Sequence, residues 1–406
     1  MAGPRVVLGV SGGIAAYKAC EVLRGLTETG HDVRVVPTAS ALRFVGAATW
    51  AALSGHPVSS VVWDDAHEVP HVRIGQEADL VLVVPATADL IARAAHGLAH
   101  DLLTSTLLTA RCPVLYVPTM HTEMWEHQAT VDNVALLRAR GAVVAEPAAG
   151  RLTGADSGKG RLPDPDEIVA LARDLLAGAP AGADLAGRHV VVSAGGTREY
   201  LDPVRFLGNR SSGRQGYALA RAAIARGAKV TLVAANVGLP DPAGADMVHV
   251  GSAAELRDAV VDAAATADAV VMAAAVADFR PSTYADAKIK KEPDGGVPHL
   301  ELERTADILA EISGSHARPG QVVVGFAAET GDASGSVLDH GRAKLAAKGC
   351  DLLVVNEVGS GRGFESEENE AVVLGADGTV TPVPHGPKAA LAHVVWDLVG
   401  DRLADA

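Results

Sequence analysis

Aromatic side chains make up only 3% of the 406 residues. This excludes a core built on large rings. The interior must be layered from Val, Leu and Ala, which suits strands covered by helices on both faces. Cysteine is almost as scarce. Cys20, Cys112 and Cys350 stand far apart, which excludes a disulfide framework and a CxxC metal pattern. No apolar run approaches the ~20 residues of a membrane span. The opening MAGPRVVLGV lacks the basic-then-apolar order of a secretory leader, so a cytoplasmic location is the expectation. Positive charge is in deficit as well. A net charge of −14 provides no broad basic field for nucleic acid or an acidic membrane surface, so any anionic ligand must be held by a few local donors.

What the chain does contain is repetition. Its length is that of two or three domains. In the first half, β-branched runs at 6–10, 33–38, 80–85 (LVLVVP), 114–118 and 143–145 alternate with helical stretches such as 14–29. Runs at 189–193, 229–235, 269–276, 321–327 and 351–355 repeat the scheme in the second half. Continuous apolar strands between helices predict two doubly wound α/β domains. The stretch EAVVLGADGTVTPV, with its Asp377-Gly378 turn, predicts an antiparallel piece at a sheet edge, and the last helix is expected over about 388–403. AGAPAGADLAG lacks periodicity and reads as a linker. The expected division is 1–176, linker 177–187, and 188–406.

Each half opens with a strand, a glycine turn and a helix. In the first half the turn is Ser11-Gly12-Gly13, whose backbone N–H groups suit a phosphate or merely the chain reversal. Hydroxyls at other strand ends (Thr38, Ser40, Thr87, Ser105) favour a flavin or nucleotide phosphate. His71 follows a proline, and Met120, His121, Met124 and Trp125 end another strand as core or as cofactor lining.

In the second half, AGGTREYLDPVRFLGNRSSGRQG offers two clusters of backbone donors, with Ser211 or Ser212 placed to cap a helix and Arg205 and Arg210 flanking them. Asn209 suits a carbonyl or tetrahedral oxygen. In Lys288-Ile289-Lys290-Lys291, an extended chain puts Lys288 and Lys290 on one side, fit for a polyphosphate or for solvent. Asp278 and Phe326 stand at strand ends, and Lys344 and Lys348 share a helix face.

In order, SGGIAAYK, PHVRIG, PATADLIARAAHGLAHDLL and PTMHTEMW resemble the flavin-dependent cysteine decarboxylases, in particular the phosphopantothenoylcysteine decarboxylase domain, over residues 5–173. The resemblance implies a flavodoxin-like flavoprotein domain binding FMN, with His71 as base. It also implies a reaction in which the carbon bearing sulfur is oxidised, CO2 leaves, and that carbon is reduced again. Ser11, Gly12, Gly13, Thr38, Ser40, Thr87, Ser105 and Met120 become the expected cofactor contacts. Two positions depart from the pattern. His121 stands where the family has an Asn for the substrate carboxylate, and Gly154, beside Thr153, stands where the family flap has its proton-donating Cys.

AGGTREYLDPVRFLGN, SSG, AAVADF, KIKK and GFAAET resemble phosphopantothenate–cysteine ligase over residues 186–400. This implies a Rossmann-like domain that takes 4'-phosphopantothenate, L-cysteine and CTP with Mg2+, without a separate protein metal cluster. Lys288 would neutralise the triphosphate and Asn209 would stabilise the acyl-cytidylate. Arg205, Ala274, Ala275, Asp278, Lys290, Thr305, Ala306, Asp307, Ile308, Phe326, Lys344 and Lys348 become the expected substrate contacts. The two resemblances together imply consecutive steps of coenzyme A biosynthesis, and a homo-oligomer with trimeric and dimeric contacts, satisfied by a dodecamer. A tandem NAD(P) oxidoreductase would need GxGxxG with an acidic residue about 20 positions on, and neither half has it. A ligase joined to a non-catalytic flavin-binding domain is the remaining alternative.

Overall fold

The computed structural model describes residues 3–60, 70–152, 156–178, 183–290, 299–315, 317–329, 336–357 and 368–405. The chain forms two compact units, Met1–Asp184 and the remainder, apart from Ile224–Gly227 and Pro242–Gly244, which group with the first.

The first unit runs β1 (Arg5–Val10), α1 (Ala19–Glu28), β2 (Asp32–Pro37), α2 (Ala47–Ser54), α3 (Pro70–Glu77), β3 (Leu80–Ala86), α4 (Ala88–Ala95), α5 (Leu102–Thr109), β4 (Val114–Pro118), α6 (Thr122–Trp125), α7 (Gln128–Ala139), β5 (Val143–Val144), β6 (Ala148–Arg151), β7 (Ser157–Arg161) and α8 (Pro165–Leu176). Its sheet is parallel in the order β2-β1-β3-β4-β5, the flavodoxin-like order with its switch point between β1 and β3. Strand alternation sorts the core into two layers. Val6, Leu8, Leu80 and Leu82 meet α1, α2 and α8 through Leu23, Leu26, Trp50 and Ile168. Val7, Val81 and Val83 meet α4, α5 and α7 through Ile91, Leu103 and Leu137. The expected helix at 14–29 is instead a 3-10 turn, Ile14–Lys18, followed by α1. The tighter winding takes the chain off the extended Gly13 before α-helical bonding begins.

The second unit runs β8 (His189–Gly195), β9 (Arg198–Tyr200), β10 (Phe206–Gly208), α9 (Arg214–Ala225), β11 (Lys229–Ala235), β12 (Ala245–Val250), α10 (Ala253–Ala264), β13 (Ala269–Met272), β14 (Phe279–Pro281), β15 (Leu302–Arg304), α11 (Ile308–Ser315), β16 (Val322–Glu329), α12 (Val337–Lys348), β17 (Leu352–Glu357), β18 (Glu368–Gly375), β19 (Val380–Pro387) and α13 (Lys388–Asp405). Among the described residues the sheet has eight strands in the order β12-β11-β8-β13-β16-β17-β18-β19, parallel up to β17 and antiparallel beyond. Val191, Val270, Val323 and Leu353 face α10 and α11. On α13, Trp396 is fully buried and donates its indole N–H to the Leu219 carbonyl of α9 at 2.8 Å.

α9 lies tight on β8. A Cβ on Gly216 would fall 2.5 Å from the Ala194 Cβ, and Gly213, at φ +77°, leaves no room for one beside Val237. β13 ends at Met272, earlier than its apolar run suggests, because residues 273–278 turn away to form a loop. Asp278 therefore stands in that loop before β14 rather than at the end of a strand.

Candidate functional site

In the first unit the ends of β1, β2 and β3 converge. The buried Ser11 donates its hydroxyl to the Pro85 carbonyl (2.7 Å) and accepts from the Thr87 N–H (3.0 Å), tying β1 to β3 across the switch point. Thr38 accepts from Ala41 N–H (3.2 Å), and Thr87 caps α4 by accepting from Leu90 N–H (3.4 Å). Gly12 is pressed against Ser40, where a Cβ would lie 2.3 Å from the Ser40 Cβ. Gly13 faces open space: a Cβ there would meet only Thr87 Cγ2, at 3.7 Å. That open backbone, ringed by Ser40 and Thr87, has the form of an oxyanion cradle. Ser105 is buried in α5, one turn before Thr109, whose hydroxyl donates to the His71 carbonyl at 2.7 Å.

This bond holds the first turn of α3 on α5. The His71 Nδ1 is buried with no hydrogen-bond partner among the described residues. Met120 N–H and the Thr119 hydroxyl both donate to the Gly160 carbonyl, at 3.0 and 3.1 Å, which seats the β6–β7 hairpin beside the end of β4. Lys159 and Arg138 anchor its base on Glu146, each at 2.7 Å. Burial alone would raise that carboxyl, but the two cations hold it below its ordinary range. His121, half-buried at the start of α6, has Nδ1 4.0 Å from Asp156 of the hairpin. Thr153 and Gly154 lie outside the described residues.

In the second unit a cavity of about 840 Å3 opens at the carboxyl ends of the parallel strands. Asn209, Ala274, Ala275, Asp278, the segment Thr305–Ile308, Phe326, Lys344 and Lys348 line it together. The backbone of 274–277 is pinned from three elements. Ala274 N–H donates to Ser193 Oγ (3.1 Å), Ala277 N–H to Thr197 Oγ1 (2.9 Å), and Asn209 Nδ2 to the Val276 carbonyl (2.8 Å). Thr305 adds a bond to the Ala277 carbonyl (2.6 Å). Lys348 pairs with Asp307 across the rim. Burial works to raise the Asp307 carboxyl, but the bond from Lys348 keeps it low.

Arg205, Lys288 and Lys290 are not among the residues lining this cavity. Lys288 and Lys290 are exposed on either side of a half-buried Ile289, as an extended chain predicts. Asp202, fully buried, fixes this segment. It takes N–H bonds from Val204, Arg205 and Ile289 (2.8, 2.9 and 3.1 Å) and a two-nitrogen contact from Arg205, which also donates to the Ile289 carbonyl at 2.7 Å. Burial would raise the Asp202 carboxyl; Arg205 and the backbone donors hold it well below the carboxylate range. Its folded pKa thus lies below the unfolded one. The clamp is whole above the ordinary carboxylate range and is lost only as pH falls through the depressed value. Asp202→Asn is expected to speed proteolytic cleavage at residues 284–290 and to slow triphosphate-dependent turnover by roughly 10- to 100-fold, the cost of misplacing a reacting group by about an ångström. Unchanged cleavage and turnover would show the clamp to be idle.

Four polar residues of this cavity carry no sequence motif: Arg304, Asn356, Asn369 and Lys388. Asn356 had a usable signal, being the first polar residue after the buried run Leu352–Val355. Lys388 had none, since only the fold brings the start of α13 to this wall.

Residues 1–177 match the family described as Flavoprotein, and residues 185–403 the one described as DNA/pantothenate metabolism flavoprotein C-terminal domain. The chain is 62% identical over 405 residues to the coenzyme A biosynthesis bifunctional protein CoaBC of Mycolicibacterium smegmatis, covering 97% of both chains. It is 44% identical over 383 residues to the protein of the same name from Bacillus subtilis, covering 93% of this chain and 92% of the other. A crystal structure of the C-terminal domain of a CoaBC protein aligns over 55% of this chain and all of its own, at 32% identity and TM-score 0.46. The chain belongs to the bifunctional coenzyme A biosynthesis family, in which a flavoprotein decarboxylase is joined to a phosphopantothenate–cysteine ligase.

Proposed function

We propose that the second unit uses CTP with Mg2+ to activate the carboxylate of 4'-phosphopantothenate, and that the first unit, with FMN, decarboxylates the product to 4'-phosphopantetheine. The observation that carries the ligase reading is the shared cavity. It gathers Asn209, Asp278, Phe326, Lys344 and Lys348 from four separate stretches of chain, at the end of the sheet where α/β folds bind ligands. Lys344 and Lys348 offer charge to a nucleotide, Phe326 an aromatic face, and Asp278 a carboxylate acceptor. Asn209 donates toward the acyl oxygen. The carboxylate oxygen forms a bond to the α-phosphorus and pyrophosphate departs. The cysteine nitrogen then bonds to the acyl carbon as the acyl–oxygen bond to CMP breaks. Lys288, held in place through Asp202 and Arg205, answers the triphosphate charge.

In the first unit, the open backbone at Gly13 with Ser40 and Thr87 would hold the FMN phosphate, and Thr38, Ser105 and Met120 would supply further cofactor contacts. Bound FMN supplies reversible two-electron oxidation of the carbon bearing sulfur. His71, whose buried ring nitrogen has no protein partner among the described residues, moves the proton at the substrate thiol. His121 replaces an amide as the group facing the substrate carboxylate. Exposed apolar side chains in each unit, Ile14 and Phe44 in the first and Val204 and Phe206 in the second, support assembly as a homo-oligomer, with a dodecamer satisfying trimeric and dimeric contacts.

The test is a single incubation of purified chain with 4'-phosphopantothenate, cysteine, CTP and Mg2+, products read by mass spectrometry, with ATP in a parallel arm. 4'-Phosphopantetheine and CO2 in the CTP arm support both halves. Phosphopantothenoylcysteine alone would reduce the first unit to a flavin-binding role.

A further inference from the structure

The β6–β7 hairpin lies along the end of β4 with one face of β7 bare of side chains. Strand alternation, carried one residue back from β7, puts Asp156, Gly158 and Gly160 on that face. A Cβ on Gly160 would fall 2.1 Å from the Met120 carbonyl oxygen, and one on Gly158 would fall 2.3 Å from Thr122 Oγ1. Bare backbone therefore rests on residues 120–122, and the remaining residue of the same face, Asp156, meets His121. Lys159, of opposite phase, reaches Glu146 instead. His121 stands at the N-cap of α6, yet its side chain makes no capping bond. Its ring is given to the hairpin, with Nδ1 4.0 Å from an Asp156 carboxylate oxygen.

Loss of CO2 leaves one carbon in need of a proton. With the carbon bearing sulfur already oxidised to a thioaldehyde, the electron pair of the breaking C–CO2 bond forms a C=C bond and the sulfur takes up the negative charge. The carbon that carried the carboxylate must then gain a proton before the carbon bearing sulfur can be reduced. The group that faced the carboxylate before cleavage faces this same carbon afterwards. An amide there can hold a carboxylate but is no acid, whereas an imidazolium can do both. Residues 148–161 contain neither cysteine nor histidine, so the hairpin has no thiol or imidazole of its own to offer.

We propose that His121 is the general acid that protonates the carbon left by CO2, and that Asp156 is a positioning residue that holds the imidazolium from the hairpin side. The proposal rests on the decarboxylase reading above. The N–H bond at Nε2 breaks with its electron pair staying on nitrogen. The C=C pair forms the new C–H bond, and a sulfur pair restores C=S. The two electrons removed at the start then return to the carbon bearing sulfur, giving the thiol. Nδ1 remains beside the Asp156 carboxylate, and water returns a proton to the ring, since both side chains are partly open to solvent.

The experiment follows one turnover of the full FMN-loaded chain on phosphopantothenoylcysteine under argon. The products are quenched with an alkylating agent and read by mass spectrometry, with flavin absorbance recorded alongside. His121→Asn keeps a donor for the carboxylate. It is expected to release CO2 more slowly but to yield an enethiol, lighter than 4'-phosphopantetheine by two hydrogens. Thiol formation should fall by about 10², as for a lost acid, and the flavin should stay bleached. Asp156→Ala should give a mixture of enethiol and thiol. In His121→Ala, added imidazole should restore both the thiol and the yellow colour. A His121→Asn variant whose only product is the thiol would overturn the proposal. So would one that loses CO2 release with no enethiol, which would leave the ring a carboxylate contact alone. Thiol as the sole product of Asp156→Ala would overturn the pairing. A wild-type chain that releases no CO2 would sink the decarboxylase reading itself, and the acid with it.

Discussion

Asn209→Ala is expected to release pyrophosphate once per active site and then stall, with steady-state formation of phosphopantothenoylcysteine down by about 10²–10³, the usual cost of one lost donor to a developing oxyanion. The position of the side chain supports this. Asn209 borders the cavity, and its Nδ2 is bonded to the Val276 carbonyl, so its amide is held in a fixed orientation next to the pinned 274–277 loop. The nucleotide groups lie on other elements, so activation should survive the truncation. Rapid-quench analysis of labelled CTP would reveal the trapped acyl-cytidylate. If the burst vanished together with turnover, Asn209 would belong to the activation step or to the integrity of the loop. Thermal unfolding of the variant would separate those two explanations.

His71→Asn is expected to stop CO2 release, by about 10²–10⁴ as is typical for a lost acid–base group, while the second unit continues to make phosphopantothenoylcysteine. The backbone at 71 is anchored independently of the ring, since Thr109 bonds its carbonyl, so α3 should keep its place. The protein should remain yellow. Mass spectrometry of the product and the absorbance of the purified variant are the two readouts. A colourless variant would move His71 from proton transfer to cofactor retention. Unimpaired CO2 release would remove it from the mechanism.

Much of this was readable before the fold was known, for a physical reason. Strands buried on both faces are continuous Val, Ala and Leu runs, so 229–235 was found with its true ends. The antiparallel edge was legible from Asp377-Gly378, where Gly378 has φ +86°. The ends of other elements were less legible. β13 stops at Met272 because side chains from β8, Thr197 and Asn209 take over its backbone donors and acceptors. Those are tertiary bonds, which no local pattern encodes. The same holds for the site. Phe326, Lys344 and Lys348 are legible as candidates because glycine-rich or paired motifs surround them, and the fold brings them to one cavity. Lys388 and Asn369 are not legible, because an isolated polar residue gains meaning only from what the sheet order sets beside it. The clamp at Asp202 shows the same limit: an Asp-Pro pair reads as a turn, and only the return of the chain at Ile289 makes it an anchor.

Trp396 has a spectroscopic consequence. Of the four tryptophans, Trp50, Trp63 and Trp125 precede residue 185, so Trp396 is the sole indole of the second half. Its ring is sealed between α13 and α9, away from water, and its N–H is already bonded. With the other three replaced by phenylalanine, near-ultraviolet emission from the whole two-domain chain would come from one chromophore. It would be blue while α13 is seated and red once it lifts, which gives an optical gauge of whether the helix that begins at Lys388 stays closed on its sheet as substrates arrive and products leave.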